Sequence, residues 1–293
     1  MKESKTILVT GGAGFVGSAL CKRLRDEGHD VYSLDNYFTG SEDNHHEGVT
    51  YLDLSTQYIE SHVDFKPDVI YHLGEYSRVE QSFADIDKVI EFNKLGTMKV
   101  LNFALKNKCK LIYAGSSTKF GDGGDNADAS PYAWSKSSNV QMIKNYGEWF
   151  GLDYAIVYFY NVYGPGELQT GPYATLIGLF TEKFKNNEQL KVVLPGVQQR
   201  NFTHIDDTVD ALLLVLDNGS GDGYGIGSPE AYSVEDVAKM FTDNIIYLPA
   251  RPGNRMTADV ICTKTRELGW EPKKNLKDYI DGIKEVLERD NNV

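Results

Sequence analysis

Two short stretches of this 293-residue chain carry groups that could do chemistry together. In Tyr132-Ala133-Trp134-Ser135-Lys136 a phenol precedes a lysine by four positions. A tyrosine, with an unperturbed pKa near 10, is useful as an acid/base at neutral pH only if a nearby positive charge stabilises its phenolate. A lysine one helical turn further along can supply that charge and reach a nucleotide ribose as well. Far upstream, Gly11-Gly12-Ala13-Gly14-Phe15-Val16-Gly17 is a turn whose glycines let the backbone approach a pyrophosphate. The pair implies redox chemistry on a substrate beside a nicotinamide, and therefore an enzyme.

The elements around these residues can be read from periodicity. Thr6 to Thr10 is an apolar strand leading into the glycines, and Ser18 to Leu24 beyond them has helical apolar spacing. A second strand, Asp30 to Leu34, ends at Asp35, and further strands are expected at Asp68 to Leu73, Lys110 to Ala114 and Tyr154 to Tyr160. Helices are expected over Ile86 to Leu105, from Ser130-Pro131 through Phe150, and over Asp206 to Leu216. Strands alternating with helices predict an α/β fold, a doubly wound parallel sheet of Rossmann type, whose ligands lie at the carboxyl ends of its strands. From Gly164 the elements shorten and turn residues multiply, which predicts a smaller, mixed α/β substrate-binding domain. The expected division assigns 1–163 and about 200–227 to an NAD-binding domain, and about 164–199 and 228–293 to the second, with the substrate between them.

Glycines also occur in ordinary turns, but here a strand precedes them, a helix follows, and Asp35 ends the next strand. That context assigns Gly11, Gly14, Phe15 and Val16 to a dinucleotide, with the helix N-terminus facing its phosphates. Asp35 can accept hydrogen bonds from an adenosine ribose and would repel a 2′-phosphate, so the expected cofactor is NAD, with Asn36 beside it. Asp53 and Leu54, at a third strand end, could touch adenine. Ser116, Ser117 and Thr118 follow another strand and place hydroxyls where one could bond a substrate oxygen.

In these motifs the chain resembles the extended short-chain dehydrogenase/reductase superfamily, within it the NAD-dependent sugar-nucleotide epimerases and dehydratases. The resemblance spans nearly the whole chain. It rests on Thr10 to Gly17, Leu34-Asp35-Asn36, His72-Leu73-Gly74, Ser116 with Phe120-Gly121, Tyr132/Lys136, Asn161 to Pro165, Arg200 to Asp207, and Leu268-Gly269-Trp270. It implies that Tyr132, Lys136 and Ser116 are catalytic, that Leu73, Gly74 and Val162 join the cofactor site, and that Asn161, Arg200 and Arg251 contact a substrate diphosphate. Ser117 and Thr118 fall where dehydratases carry an Asp-Glu pair, so the acid for water elimination is missing. The implied reaction is epimerisation of a nucleotide-diphosphate sugar at C4 through a transient ketone. A dehydrogenase releasing the keto sugar and a non-catalytic dinucleotide sensor stand as alternatives. The resemblance also implies a homodimer through Ile86 to Leu105 and Tyr132 to Phe150, although apolar spacing there fits burial against the sheet equally well. Glu75, Tyr158, Asn254 and a short segment between Gly121 and Tyr132 depart from the family pattern.

Other classes fit poorly. Thirty basic against forty-two acidic residues leave a formal charge of −12 and no basic stripe for nucleic acid. Cys21, Cys109 and Cys262 are odd in number and far apart, as expected of free thiols in a reducing compartment. Met1 to Lys5 lead straight into a strand and no apolar run approaches membrane-spanning length, so a cytoplasmic protein without membrane association is expected. No metal is expected: His45-His46 lacks partners at ligand spacing, His72 reads as a satisfied buried imidazole and His204 as a brace for the Arg200 strand. Tyr158, Tyr160 and Tyr163 could wall a sugar, but read more readily as packing.

Overall fold

The computed structural model describes residues 3–120, 122–124, 127–250, 256–257 and 260–291. Six strands in chain order, β1 (Thr6–Thr10), β2 (Asp30–Asp35), β3 (Val49–Asp53), β4 (Val69–His72), β5 (Lys110–Ser116) and β6 (Tyr154–Phe159), join Gly221–Ile226 in one seven-stranded sheet. Its order is Gly221–Ile226, β6, β5, β4, β1, β2, β3, and every neighbouring pair is parallel.

Side-chain alternation along the strands explains the layers. Ile7 and Val9 face helix α1 (Phe15–Asp26), through Leu20 and Leu24, and helix Ile205–Asn218, through Val209 and Leu212. Leu8, between them, points the other way, to Leu101 of helix Thr97–Asn107 and Ile143 of helix Pro131–Phe150. The latter helix starts where expected: Pro131 occupies its first turn and Ser130 Oγ accepts from the Ala133 N–H at 3.1 Å.

The expected regular helix over Ile86 to Leu105 is instead three pieces. Between Ile86–Lys88 and Thr97–Asn107 lies an eight-residue π-helical segment, Val89–Gly96. A widened turn leaves the usual ladder and frees groups for other partners. Here the Asn93 carbonyl accepts from Asn139 Nδ2 at 2.6 Å, while the Asn93 side chain bonds both the N–H (2.6 Å) and the carbonyl (3.1 Å) of Tyr76. The π segment thus fixes the loop that follows β4.

A third apolar cluster lies apart from the large sheet. Phe180, Leu190, Val192, Phe202, Val237, Phe241 and Ile280 pack together around three short strand pairs. These smaller mixed elements accompany the Rossmann-type sheet as the second part of the molecule.

Candidate active site

A cleft of about 650 Å³ opens at the carboxyl ends of the central strands. Gly11, Gly14, Phe15 and Val16 form one wall, and the turn is shaped for close approach. Gly11 has φ +74°, which a side chain would strain, and a Cβ on Gly17 would overlap the Gly11 carbonyl. Gly14 is the N-cap of helix α1, which has no side-chain cap and no acidic residue in its first turn. Its leading N–H groups are therefore available to an anion.

Asp35 closes β2 at the edge of the same cleft. Its Oδ2 accepts from Ala13 N at 3.0 Å and its Oδ1 from Tyr37 N at 2.9 Å. Burial raises its pKa, and those two hydrogen bonds partly oppose the rise. Asn36, Leu54, Leu73, Gly74 and Val162 also line the cleft. Asp53 does not. It ends its strand in register with Asp35 and is exposed, while Leu54, just beyond the strand, lines the cleft.

Tyr132 and Lys136 both face the cleft from the first turns of helix Pro131–Phe150 and are nearly inaccessible to solvent. Ser116, Ser117 and Thr118 face them from the end of β5, and Thr118 Oγ1 donates to Ser116 Oγ at 2.9 Å. Arg200 reaches the cleft on strand Gln199–Asn201. Asn161 also lines it, with its amide donating to the Asn201 carbonyl at 2.8 Å. Arg251, like Gly121 and Asn254, lies outside the described residues.

Several lining residues carried no role in the sequence reading. Glu75 is the most consequential: its side chain is fully buried and its carboxylate pairs with the Lys136 ammonium. Thr97 Oγ1 (2.8 Å), Asn139 Nδ2 (2.9 Å) and Tyr113 OH (3.3 Å) also donate to it. Burial alone would raise the Glu75 pKa, but Lys136, His72 and the hydrogen bonds bring it below the usual carboxylate value. Lys136 donates further to the Ala114 carbonyl at 2.7 Å. Arg78, Tyr173 and Lys191 are among the others. No local motif flags them, because each is brought in by the path of the chain.

The other histidines and tyrosines make structural contacts, with His204 capping a helix where a brace for the Arg200 strand was expected. His72 bonds Thr10 Oγ1 (2.7 Å) and Thr97 Oγ1 (2.9 Å), and burial lowers its pKa to about 4. His204 caps helix Ile205–Asn218 by accepting from Asp206 N at 3.1 Å. His45 stacks on Tyr51, and His46 bonds Ser18. Tyr158, Tyr160 and Tyr163 are buried and do not line the cleft, and the three cysteines are buried free thiols. No described helix is long and apolar enough to cross a membrane.

The model of the NAD dependent epimerase/dehydratase family matches residues 7–227. A UDP-N-acetyl-alpha-D-glucosaminuronate decarboxylase from Bacillus cytotoxicus is 30% identical over 99% of this chain and 94% of its own length. The crystal structure of UDP-glucose 4-epimerase from Thermotoga maritima, with UDP-glucose, superposes with a TM-score of 0.90 at 26% identity, covering 97% of this chain and 99% of that one. The Thermus thermophilus UDP-glucose 4-epimerase in complex with NAD shares the fold, with a TM-score of 0.89 at 24% identity and the same coverage. The close-packed glycine turn, the uncapped helix start and Asp35 fit NAD as the cofactor. With the match over residues 7–227, they establish that the chain belongs to the NAD dependent epimerase/dehydratase family.

Proposed function

We propose that this protein epimerises a nucleoside-diphosphate sugar at C4. The observation that carries this reading is a single cleft holding the glycine turn, Tyr132 with Lys136, the Ser116 hydroxyl and Arg200. Bound NAD supplies the acceptor for the C4 hydride and later its donor. Tyr132 takes the proton of the C4 hydroxyl as the C–H bond breaks, leaving a ketone, and returns it when hydride adds to the opposite face. Lys136 favours the phenolate by its charge and would hold the nicotinamide ribose. Ser116 bonds the reacting oxygen. Asn161 and Arg200 hold the diphosphate, for which a planar guanidinium is suited. No carboxyl group stands at positions 116–118 to drive elimination of water.

The Bacillus cytotoxicus relative favours a second reading, decarboxylation, which would share the oxidation at C4 and then lose CO2 from an acidic sugar. Incubation with UDP-, GDP-, CDP- and dTDP-sugars, followed through the sugar ring protons by NMR, separates the two. An interconverting C4 pair without net cofactor reduction supports the epimerase, and loss of the carboxyl carbon supports the decarboxylase. A keto sugar with matched NADH would overturn both in favour of a dehydrogenase.

The two-part division of the chain near residues 163, 200 and 227 is part of the same proposal, supported by the third cluster, which draws mainly on 164–199 and 228–293 with Tyr163 and Phe202 joining it from across the boundaries. So is a homodimer. Phe83, Ile86, Ile90 and Trp134 are exposed around a shallow groove that includes Pro131, an apolar patch suited to a second copy of the two helices.

A further inference from the structure

Arg78 lines the cleft from the loop after β4. Its Nε donates to the Tyr173 carbonyl at 2.9 Å, Nη2 donates to the same carbonyl, and Nη1 donates to the Ser77 carbonyl at 3.1 Å. Among the described residues those neutral carbonyls are its acceptors, and no carboxylate pairs with it. A guanidinium has five N–H donors, so two remain unused. Burial pulls its pKa below the ordinary arginine value, and the phenols of Tyr132 and Tyr76 are the groups whose charge acts on it. A partly buried, unneutralised cation with spare donors in a ligand cleft is costly unless the ligand brings an anion.

Position narrows which anion that is. The glycine turn and the start of α1 are suited to the cofactor phosphates, and Arg200 lines the cleft from strand Gln199–Asn201. Arg78 instead bonds the carbonyl of Tyr173, whose side chain packs in the same cluster as Tyr132, the residue that the proposed function puts at the reacting carbon. A substituent on the ring carbon next to C4 would meet it there. Resting on the nucleotide-sugar reading, we infer that Arg78 is a specificity residue for an acidic sugar, a nucleoside-diphosphate hexuronate whose C5 carboxylate bonds the guanidinium.

The test uses NAD-loaded protein and matched probes, UDP- and dTDP-linked glucose and glucuronate. Affinity is measured by calorimetry, and turnover is measured separately by NMR. Charge-assisted hydrogen bonds predict that the glucuronate of the preferred base binds about ten- to a hundredfold tighter than its glucose partner. In Arg78→Gln that ratio should fall to within about twofold, and Arg78→Lys should keep part of it, because the charge remains while the fork is lost. A wild-type ratio near one overturns the inference. An equal loss for both sugars in Arg78→Gln also overturns it, reducing Arg78 to a tie to the Tyr173 loop. Weaker NAD binding with an unchanged sugar ratio overturns it in favour of a cofactor phosphate contact. Tight glucuronate binding without C4 epimerisation upholds Arg78 and rejects the epimerase, whereas epimerisation of glucose with no preference for the acid does the reverse.

Discussion

Glu75 and Lys136, 61 residues apart in sequence, form an ion pair sealed from solvent, with side-chain exposures of 0% and 7%. The carboxylate therefore lies against the lysine whose charge is proposed to support the Tyr132 phenolate. Removing one partner of such a pair leaves the other charge buried, at a cost of about 3–5 kcal/mol. Glu75→Ala is expected to lower the melting temperature sharply. Glu75→Gln keeps the shape and most hydrogen bonds but removes the anion that offsets the field of Lys136. The alkaline-rising limb of its pH–rate profile should then move to lower pH. A folded Glu75→Gln enzyme with the wild-type profile would show that the pair is structural only.

Tyr132→Phe removes the proposed acid/base and one hydroxyl. Positioned proton transfer contributes about 10²–10⁴-fold to rate, so turnover should fall by that order while NAD stays bound. Parallel measurement of turnover and bound nucleotide checks this, and full turnover would refute the assignment.

Gly17→Ala tests the cofactor cradle. The new methyl would collide with the Gly11 carbonyl, so the turn must open or α1 must shift. The expected outcome is loss of NAD from the purified protein together with a lower melting temperature. An unchanged NAD content at wild-type stability would mean that the close packing at this turn is dispensable.

Glu167 predicts a pH dependence of stability. It is buried, accepting from Thr175 Oγ1 at 2.5 Å and Gly164 N at 3.3 Å, and burial raises its pKa from 4.5 to about 7. Because the folded value lies above the unfolded one, its contribution is fully present below about 4.5 and is lost as pH rises through about 7. The loss is on the order of 3 kcal/mol. Denaturant melts from pH 5 to pH 8 should show it, and Glu167→Gln should flatten the curve.

The apolar patch predicts self-association. Ile86→Glu puts a charge among Phe83, Ile90 and Trp134 and should convert a dimer to a monomer in sedimentation velocity. A wild-type protein that sediments as a monomer would remove the dimer proposal.

The sequence makes the cofactor wall legible because its signals are local: a strand, a glycine turn, a helix and Asp35 at the next strand end. Tyr132 and Lys136 are legible for the same reason, one helical turn apart. Glu75 and Arg78 resisted because their partners are distant, Lys136 lying 61 residues from Glu75 and Tyr173 lying 95 from Arg78. The π segment read as ordinary helix because apolar periodicity over eight residues does not resolve one widened turn. Asp53 and Leu54 are neighbours of which only Leu54 lines the cleft, a one-residue distinction at a strand end that the sequence pattern does not resolve.

The order of strands also bears on synthesis. Strand Gly221–Ile226 completes the sheet beside β6, and Tyr158 donates to Asp222 at 2.7 Å across 64 residues of sequence. At about 5–20 residues per second, a ribosome takes roughly 3–13 s to make that stretch. During that interval the apolar strand Tyr154–Phe159 is an open edge on the nascent chain. Chains ending before Gly221 should thus aggregate through that edge rather than persist as a separate cofactor-binding fragment, and chaperone dependence should be greatest in this window.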